Sequence, residues 1–332
     1  MIISRTPFRV SFFGGGTDYN GWFNEHKGAV LATTIDKYCY ITCRYLPPFF
    51  EHKSRIIYSV TEHVHNIDEI DHPSVRETLR FLKVHDGIEV HHDGDLPART
   101  GLGSSSSFTV GLLNSLYALK GQMVTKERLA KEAIHIEQDM IKENVGCQDQ
   151  MLAAYGGFNY IEFGGPHHLR VQPVTLSVEK LNLLQDHLML FFTGFSRTAS
   201  KIAEHQIKNI PKKRPELKRM YEMVGEAQAV LNGSNILKFG KLLDESWKLK
   251  RTLSDKISSP HIDDLYDTAK RAGAVGGKLL GAGGGGFLLL FVRPQDHPKM
   301  RKALKGLLEV PIKFENLGSQ IIFFQPDTGM VK

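Results

Sequence analysis

The sequence predicts an α+β protein of two domains. Strand-like segments dominate residues 1–95, and helical periodicity takes over after Gly103. The last third then mixes short helices and strands without the regular strand–helix–strand alternation of a parallel sheet. A chain of 332 residues with 41% apolar side chains can bury a sizeable core, and its length favours two domains over one. The division is expected between 1–180 and 181–332, although no low-complexity linker marks it.

The first strand is Phe8-Arg9-Val10-Ser11-Phe12, where period-2 alternation puts the three apolar residues on one face and Arg9 and Ser11 on the other. A polar face on a core strand wants a ligand or a partner. Glycines 14 to 16 end the strand, and further strands are expected near 29–35, 38–45, 55–60 and 88–92. The stripe Phe108, Leu112, Leu113, Leu116, Leu119 predicts a helix that stops at Gly121, and a second helix runs from an N-cap at Thr125 to about Asn144. Strands near 158–163 and 188–192 lead into a long helical region over 200–254, interrupted at 211–215. A helix near 261–272, a glycine-rich turn, a strand at 287–292, a helix at 298–308 and closing strands near 312–315 and 320–324 complete the chain.

Composition excludes several classes. The net charge of +6 suits an anionic ligand, but Lys and Arg are scattered and not gathered into the stripes of a nucleic-acid binder. Three cysteines, none in a Cys-x-x-Cys pair, point to a reducing compartment. The opening residues lack a basic region leading into an apolar one, and no apolar run approaches the roughly 20 residues that cross a bilayer. A cytoplasmic protein without a membrane partner is expected; oligomeric state is not legible.

Three glycine-rich loops carry the chemistry. Residues Pro97-Ala98-Arg99-Thr100-Gly101-Leu102-Gly103-Ser104-Ser105-Ser106-Ser107 sit between a strand and an amphipathic helix. Glycines let the backbone wrap an anion, and free N–H groups at the helix start point their dipole at it. The serine hydroxyls can cap the helix, bond phosphate oxygens or ligate Mg²⁺. The run 281–286 formally matches the Gly-x-Gly-x-x-Gly fingerprint of a dehydrogenase, but a strand follows it where that fingerprint must open a helix. Its bare backbone implies close packing against a ligand or a second chain segment. The third loop, Gly14-Gly15-Gly16-Thr17-Asp18, places a hydroxyl and a carboxylate directly after bare backbone.

Two carboxylates stand apart. Glu137 lies on the apolar face of its helix, between Ala133 and Ile134 on one side and Met140 and Ile141 on the other. A carboxylate there must be paired with Arg or Lys, protonated or bound to a metal. Asp149, just past the expected helix end, is the best-placed candidate to accept or orient a hydroxyl proton in a phosphoryl transfer.

Taken in order, the Arg9 strand with its glycine turn, the 101–107 loop, Glu137, Asp149 and the 281–286 loop resemble the GHMP kinase superfamily over nearly the whole chain. The resemblance implies an N-terminal domain like ribosomal protein S5 domain 2, a ferredoxin-like C-terminal domain and an active site between them. It implies ATP held by Pro97, Gly101, Leu102, Gly103, Ser104, Ser105, Ser106 and Ser107, and Mg²⁺ on Ser105 and Glu137. Asp149 would be the base, Arg9 would lie beside the transferred phosphate, and Gly16, Thr17, Asp18, Gly283 and Gly284 would face the substrate. Galactokinases carry Gly-Glu-His where this chain has Gly14-Gly15-Gly16, which argues against galactose. That turn, with residues 28–31 and 34–38 and Gly194-Phe195-Ser196-Arg197-Thr198-Ala199-Ser200, looks more like the D-glycero-D-manno-heptose 7-phosphate kinase branch. Such an enzyme phosphorylates a hydroxyl, expected to be the anomeric one, in nucleotide-activated heptose biosynthesis. Arg197 is then the first choice to bind the substrate's own phosphate. An L-fucokinase-like enzyme and a non-catalytic ATP and sugar sensor are the alternatives.

Overall fold

The computed structural model describes residues 1–85, 87–98, 100–165, 168–194 and 199–326. Two sheets organise these residues. The larger has the strand order Gln320–Phe324, Ile2–Phe13, Gly28–Tyr45, Ile88–Gly94, Ser54–Ile57, Thr61–Val64. Phe158–Gly164 and Phe314–Glu315 pair with the long central strand Gly28–Tyr45, and His168–Pro173 extends the sheet beyond Phe158–Gly164. The pairing of Ser54–Ile57 with Ile88–Gly94 is parallel; the other ladders are antiparallel. The smaller sheet is antiparallel, in the order Leu308–Glu309, Leu188–Gly194, Gly286–Phe291, Gly276–Leu279.

The α+β reading is confirmed, with one rearrangement. The closing strands, expected in the C-terminal domain, join the first sheet: Gln320–Phe324 pairs with Ile2–Phe13 and Phe314–Glu315 with Gly28–Tyr45. Strand propensity says nothing about which sheet edge is open to receive a segment.

Helix Ser104–Leu119 lies across the two central strands, anchored where Ser4 Oγ donates to the Gly111 carbonyl (2.9 Å). Its apolar stripe, read from the sequence, is buried at Phe108, Leu112, Leu113 and Leu116. The next helix is capped by Thr125, whose hydroxyl accepts from the Arg128 N–H. It stays α-helical only over Lys126–His135 and then widens into a π-helical turn, Ile136–Met140. Such turns displace side chains from the regular stripe and recur at functional sites. Asp149 is therefore not in a loop trailing a helix. It occupies the first turn of a separate helix, Gln148–Tyr155.

The long helical region resolves into Ala199–Asn209, Arg214–Asn232 and Leu237–Thr252. Leu237–Thr252 packs on the smaller sheet and carries Phe239 into the joint between the halves. There the Phe239 ring meets Phe12 and Phe13 edge-on at 5.4 and 5.0 Å between centroids. One continuous apolar core thus links both sheets, which holds the two walls of the intervening cleft in a set relation. Among the described residues no helix is long and apolar enough to cross a membrane.

Candidate active site

A cleft of about 1060 Å³ opens at this joint, large enough for a nucleotide and a small acceptor. Its floor is the start of helix Ser104–Leu119. Gly103, at φ +76°, turns the chain into the helix, and no side chain caps it there. The helix start thus faces the cleft with the positive end of its dipole, a setting that suits an anion.

The serines after Gly103 divide by helical geometry. Ser104 and Ser105 line the cleft, and Ser105 is exposed. Ser106 also reaches the cleft but is buried and donates to Glu137 Oε2 at 2.9 Å. Ser107 is spent on the fold, donating to the Pro7 carbonyl at 2.8 Å. The hydroxyl paired with Glu137 is therefore Ser106, not Ser105, because one step along a helix turns the side chain by about 100° and, of these two, Ser106 faces Glu137. Leu102 is likewise buried and contributes its carbonyl, which accepts the Arg9 N–H at 3.0 Å. Pro97 lines the rim of the cleft.

Glu137 is fully buried in the π-helical turn. Ser106 and Gln150 bond Oε2, whereas Oε1 has no hydrogen-bond partner and no Arg or Lys pairs with the carboxylate among the described residues. Burial pushes its carboxyl up to about 7. A buried, orphaned carboxylate oxygen beside a hydroxyl fits an Mg²⁺ ion that takes its remaining ligands from phosphate and water. No group of three metal-ligating side chains occurs among the described residues, and such an ion needs none. Replacing Glu137→Gln should therefore raise the Mg²⁺ requirement sharply while the fold is kept. In the wild type that requirement should grow as pH falls below about 7, where Glu137 takes up a proton, and in the variant it should not. Identical Mg²⁺ titrations of the two proteins at pH 6 and 8 would remove Glu137 from the metal.

Arg9 and Asp149 meet at the head of the 101–107 loop. Arg9 Nε and Nη2 each donate to an oxygen of Asp149 at 2.7 Å, and Nη1 donates to the Gly101 carbonyl at 2.6 Å. The forked guanidinium fixes the plane of the carboxylate and leaves each oxygen a further lone pair.

Beside them Asp18 is buried, held by the Gly16 N–H and by Gln148 Nε2, each at 2.9 Å, and burial raises its carboxyl above the ordinary range. Gly16 and Asp18 line the cleft. Thr17 does not: it is fully buried, donating to the Gly14 carbonyl (2.8 Å) and accepting the Ala29 N–H (3.1 Å), so it closes the turn and does not face a substrate.

The 281–286 loop is corrected in the same way. Gly281 and Ala282 line the cleft, but Gly283 and Gly284 lie behind it against Ile257, whose carbonyl accepts the Gly284 N–H at 2.9 Å. Bare backbone serves here to seat one chain segment on another: a Cβ on Gly281 would lie 2.4 Å from Gly101 Cα. Arg197 lies outside the described residues.

Sequence reasoning missed two parts of the cleft. One end carries aromatic rings: His72 stacks on Phe108 at 4.6 Å, with Tyr58 edge-on to His72 and His92 edge-on to Phe108. No local pattern links these positions. The opposite wall carries two buried lysines, Lys250 and Lys278. A charge inside the four-residue strand Gly276–Leu279 was the one signal available for Lys278.

Residues 73–157 match the GHMP kinases N terminal domain and residues 227–309 the GHMP kinases C terminal domain. The chain is 29% identical over 316 residues to the D-glycero-alpha-D-manno-heptose 7-phosphate kinase of Campylobacter jejuni subsp. jejuni serotype O:2, covering 92% of this chain and 93% of the relative. It is 25% identical to the bifunctional fucokinase/GDP-fucose pyrophosphorylase of Arabidopsis thaliana, over 93% of this chain and 32% of that protein. The structure of a D-glycero-D-manno-heptose 1-phosphate kinase from Bacteroides thetaiotaomicron superposes with a TM-score of 0.78 at 22% identity, over 98% of this chain and all of that one.

Proposed function

The chain belongs to the GHMP kinase family, and on that premise we propose that it is an ATP-dependent sugar kinase whose acceptor is a heptose 7-phosphate, phosphorylated at its anomeric hydroxyl. The observation that carries the kinase chemistry is the Arg9–Asp149 pair standing over an uncapped helix start. The acceptor is supported by the similarity to the Campylobacter enzyme along nearly the full length of both chains.

In this reading residues 101–104, Ser105 and the first turn of the helix hold the ATP phosphates, and the rings of Phe108, His72, His92 and Tyr58 receive the nucleobase. Ser106 and Glu137 hold Mg²⁺, which when bound neutralises phosphate charge. Asp18 and Gln148 bond acceptor hydroxyls, and Asp149 accepts or orients the hydroxyl proton while Arg9 meets the transferred group. The intact Arg9–Asp149 pair weighs against a sensor that only binds. The N-terminal unit of this enzyme comprises 1–180 together with the returning strands, and the C-terminal unit the remainder.

The test is ATP turnover across free and 7-phosphorylated heptoses beside fucose and galactose. The 7-phosphorylated heptose should show the highest kcat/KM by an order of magnitude or more, on the order of the cost of one lost charge-assisted contact. A preference for free fucose would overturn the acceptor and leave the kinase standing.

A further inference from the structure

Lys250, in the last turn of Leu237–Thr252, and Lys278, in the strand Gly276–Leu279, are 6% and 2% exposed and both line the cleft. Among the described residues each bonds to backbone carbonyls alone. Lys278 Nζ donates to Phe12 O at 2.9 Å, and Lys250 Nζ donates to the carbonyls of Leu279 and Gly281. Among the described residues neither forms an ion pair. Nearby, Asp149 is matched by Arg9, and the Asp18 carboxylate, bonded to the neutral Gly16 N–H and Gln148 amide, offsets the two lysines only in part.

Three buried cations, Arg9, Lys250 and Lys278, beside two carboxylates, Asp18 and Asp149, leave an excess of positive charge that is costly unless the site exists to receive negative charge. Their position says which charge. Lys250 rests on the Gly281 carbonyl; Gly281 packs directly on Gly101; and the Gly101 carbonyl holds Arg9 Nη1. Lys250 and Arg9 therefore flank one glycine-to-glycine contact at the head of the 101–107 loop, with Asp149 paired to Arg9. That is the reacting centre, not the outer end of an acceptor.

We infer that Lys250 and Lys278 hold the oxygens of the phosphoryl group as it passes from ATP to the acceptor, a role that rests on the reading of this cleft as the transfer site. In that step the bond from the γ-phosphorus to the bridging oxygen of ADP breaks and a bond to the acceptor hydroxyl oxygen forms. The hydroxyl proton passes to Asp149 and then to solvent, and ADP leaves with the bridging electron pair. Charge spread over the phosphoryl oxygens is met by buried amino groups that are already in position and need little movement. Burial, and then the neighbouring Arg9, lower Lys250 to about 8, countered in part by Asp18 and Asp149; Lys278 is lowered by burial and by Lys250 and Arg9. An arriving phosphoryl group raises both again.

The experiment compares the full-length wild type with Lys250→Met and Lys278→Met, and with Lys250→Gln and Lys278→Gln should a methionine variant not fold. It measures kcat and KM for ATP, and the affinity for Mg·ADP with and without fluoroaluminate, a mimic of the phosphoryl group in flight. The inference expects kcat to fall about 10²–10³-fold, ADP affinity to stay within about threefold, and the tightening by fluoroaluminate to disappear. A kcat within about threefold of wild type overturns it, as does an equal loss for ADP alone and ADP with fluoroaluminate. A loss confined to phosphorylated acceptors, with kcat on a free sugar retained, overturns it by assigning the lysines to the acceptor's own phosphate. A wild type that binds no ADP overturns this inference and the proposed function together, whereas a wild type that binds ADP beside unimpaired variants overturns the lysines alone.

Discussion

Asp149→Asn should leave ATP affinity nearly intact while kcat falls on the order of 10²–10⁴, the range for losing a positioned general base. The amide keeps one oxygen for Arg9 but gives up the charge and the second charge-assisted bond, each of which the structure shows at 2.7 Å. Arg9 remains tethered by the Gly101 carbonyl, so the guanidinium stays at the phosphate loop and nucleotide binding is maintained. Some stability is lost as well, because Arg9 is buried and its counter-ion is gone. Single-turnover kinetics with a nucleotide-binding titration check this. Near-normal turnover would reduce Asp149 to a structural partner of Arg9; a binding loss with unchanged kcat would make it a positioning residue for substrate.

Gly281→Ala should also be strongly damaging, though it removes no chemical group. Gly281 has φ +73°, and a Cβ there would lie 2.4 Å from Gly101 Cα and 3.1 Å from Gly101 O. Both obstacles are backbone, so no side chain can swing aside. Left-handed strain of roughly 1–2 kcal/mol adds to about 1–3 kcal/mol for forcing apart a close-packed contact. The glycine loop would lift off the phosphate loop, taking with it the carbonyl under Lys250. ATP affinity and the thermal midpoint should fall together, with kcat/KM for ATP reduced by about 10² or more, on the order of that free energy. Wild-type stability and ATP affinity in this variant would show that the contact is not needed.

The two substitutions mark the line between what the chain states locally and what folding decides. Locally legible were the strand carrying Arg9, the apolar stripe ending at Gly121, the Thr125 cap and the order of the three glycine loops, because each depends on side chains a few residues apart. Glu137 stood out in the same way, as a carboxylate on an apolar helix face, whereas Asp149 drew notice only in company with the phosphate-binding pattern, as the best-placed carboxylate to take a hydroxyl proton. Assignments that needed an exact direction were not legible. Ser106 rather than Ser105 faces Glu137, Thr17 turns into the fold, and Gly283 and Gly284 pack on Ile257, because a rotation of one residue decides which side of a backbone meets the cleft.

Only the tertiary structure returned residues 314–324 to the first sheet and set Phe239 between Phe12 and the second. By closing the two halves through that joint it brought Lys250 and Lys278 to within reach of a loop more than 140 residues earlier. Sequence by itself determined the kinase family, since the binding loops are contiguous and their chemistry is local. The lysine-bearing wall was decided by packing, since two lysines far from the loop in sequence come to line the same cleft only when an apolar core holds them, buried and bonded to backbone carbonyls, near the same glycine contact.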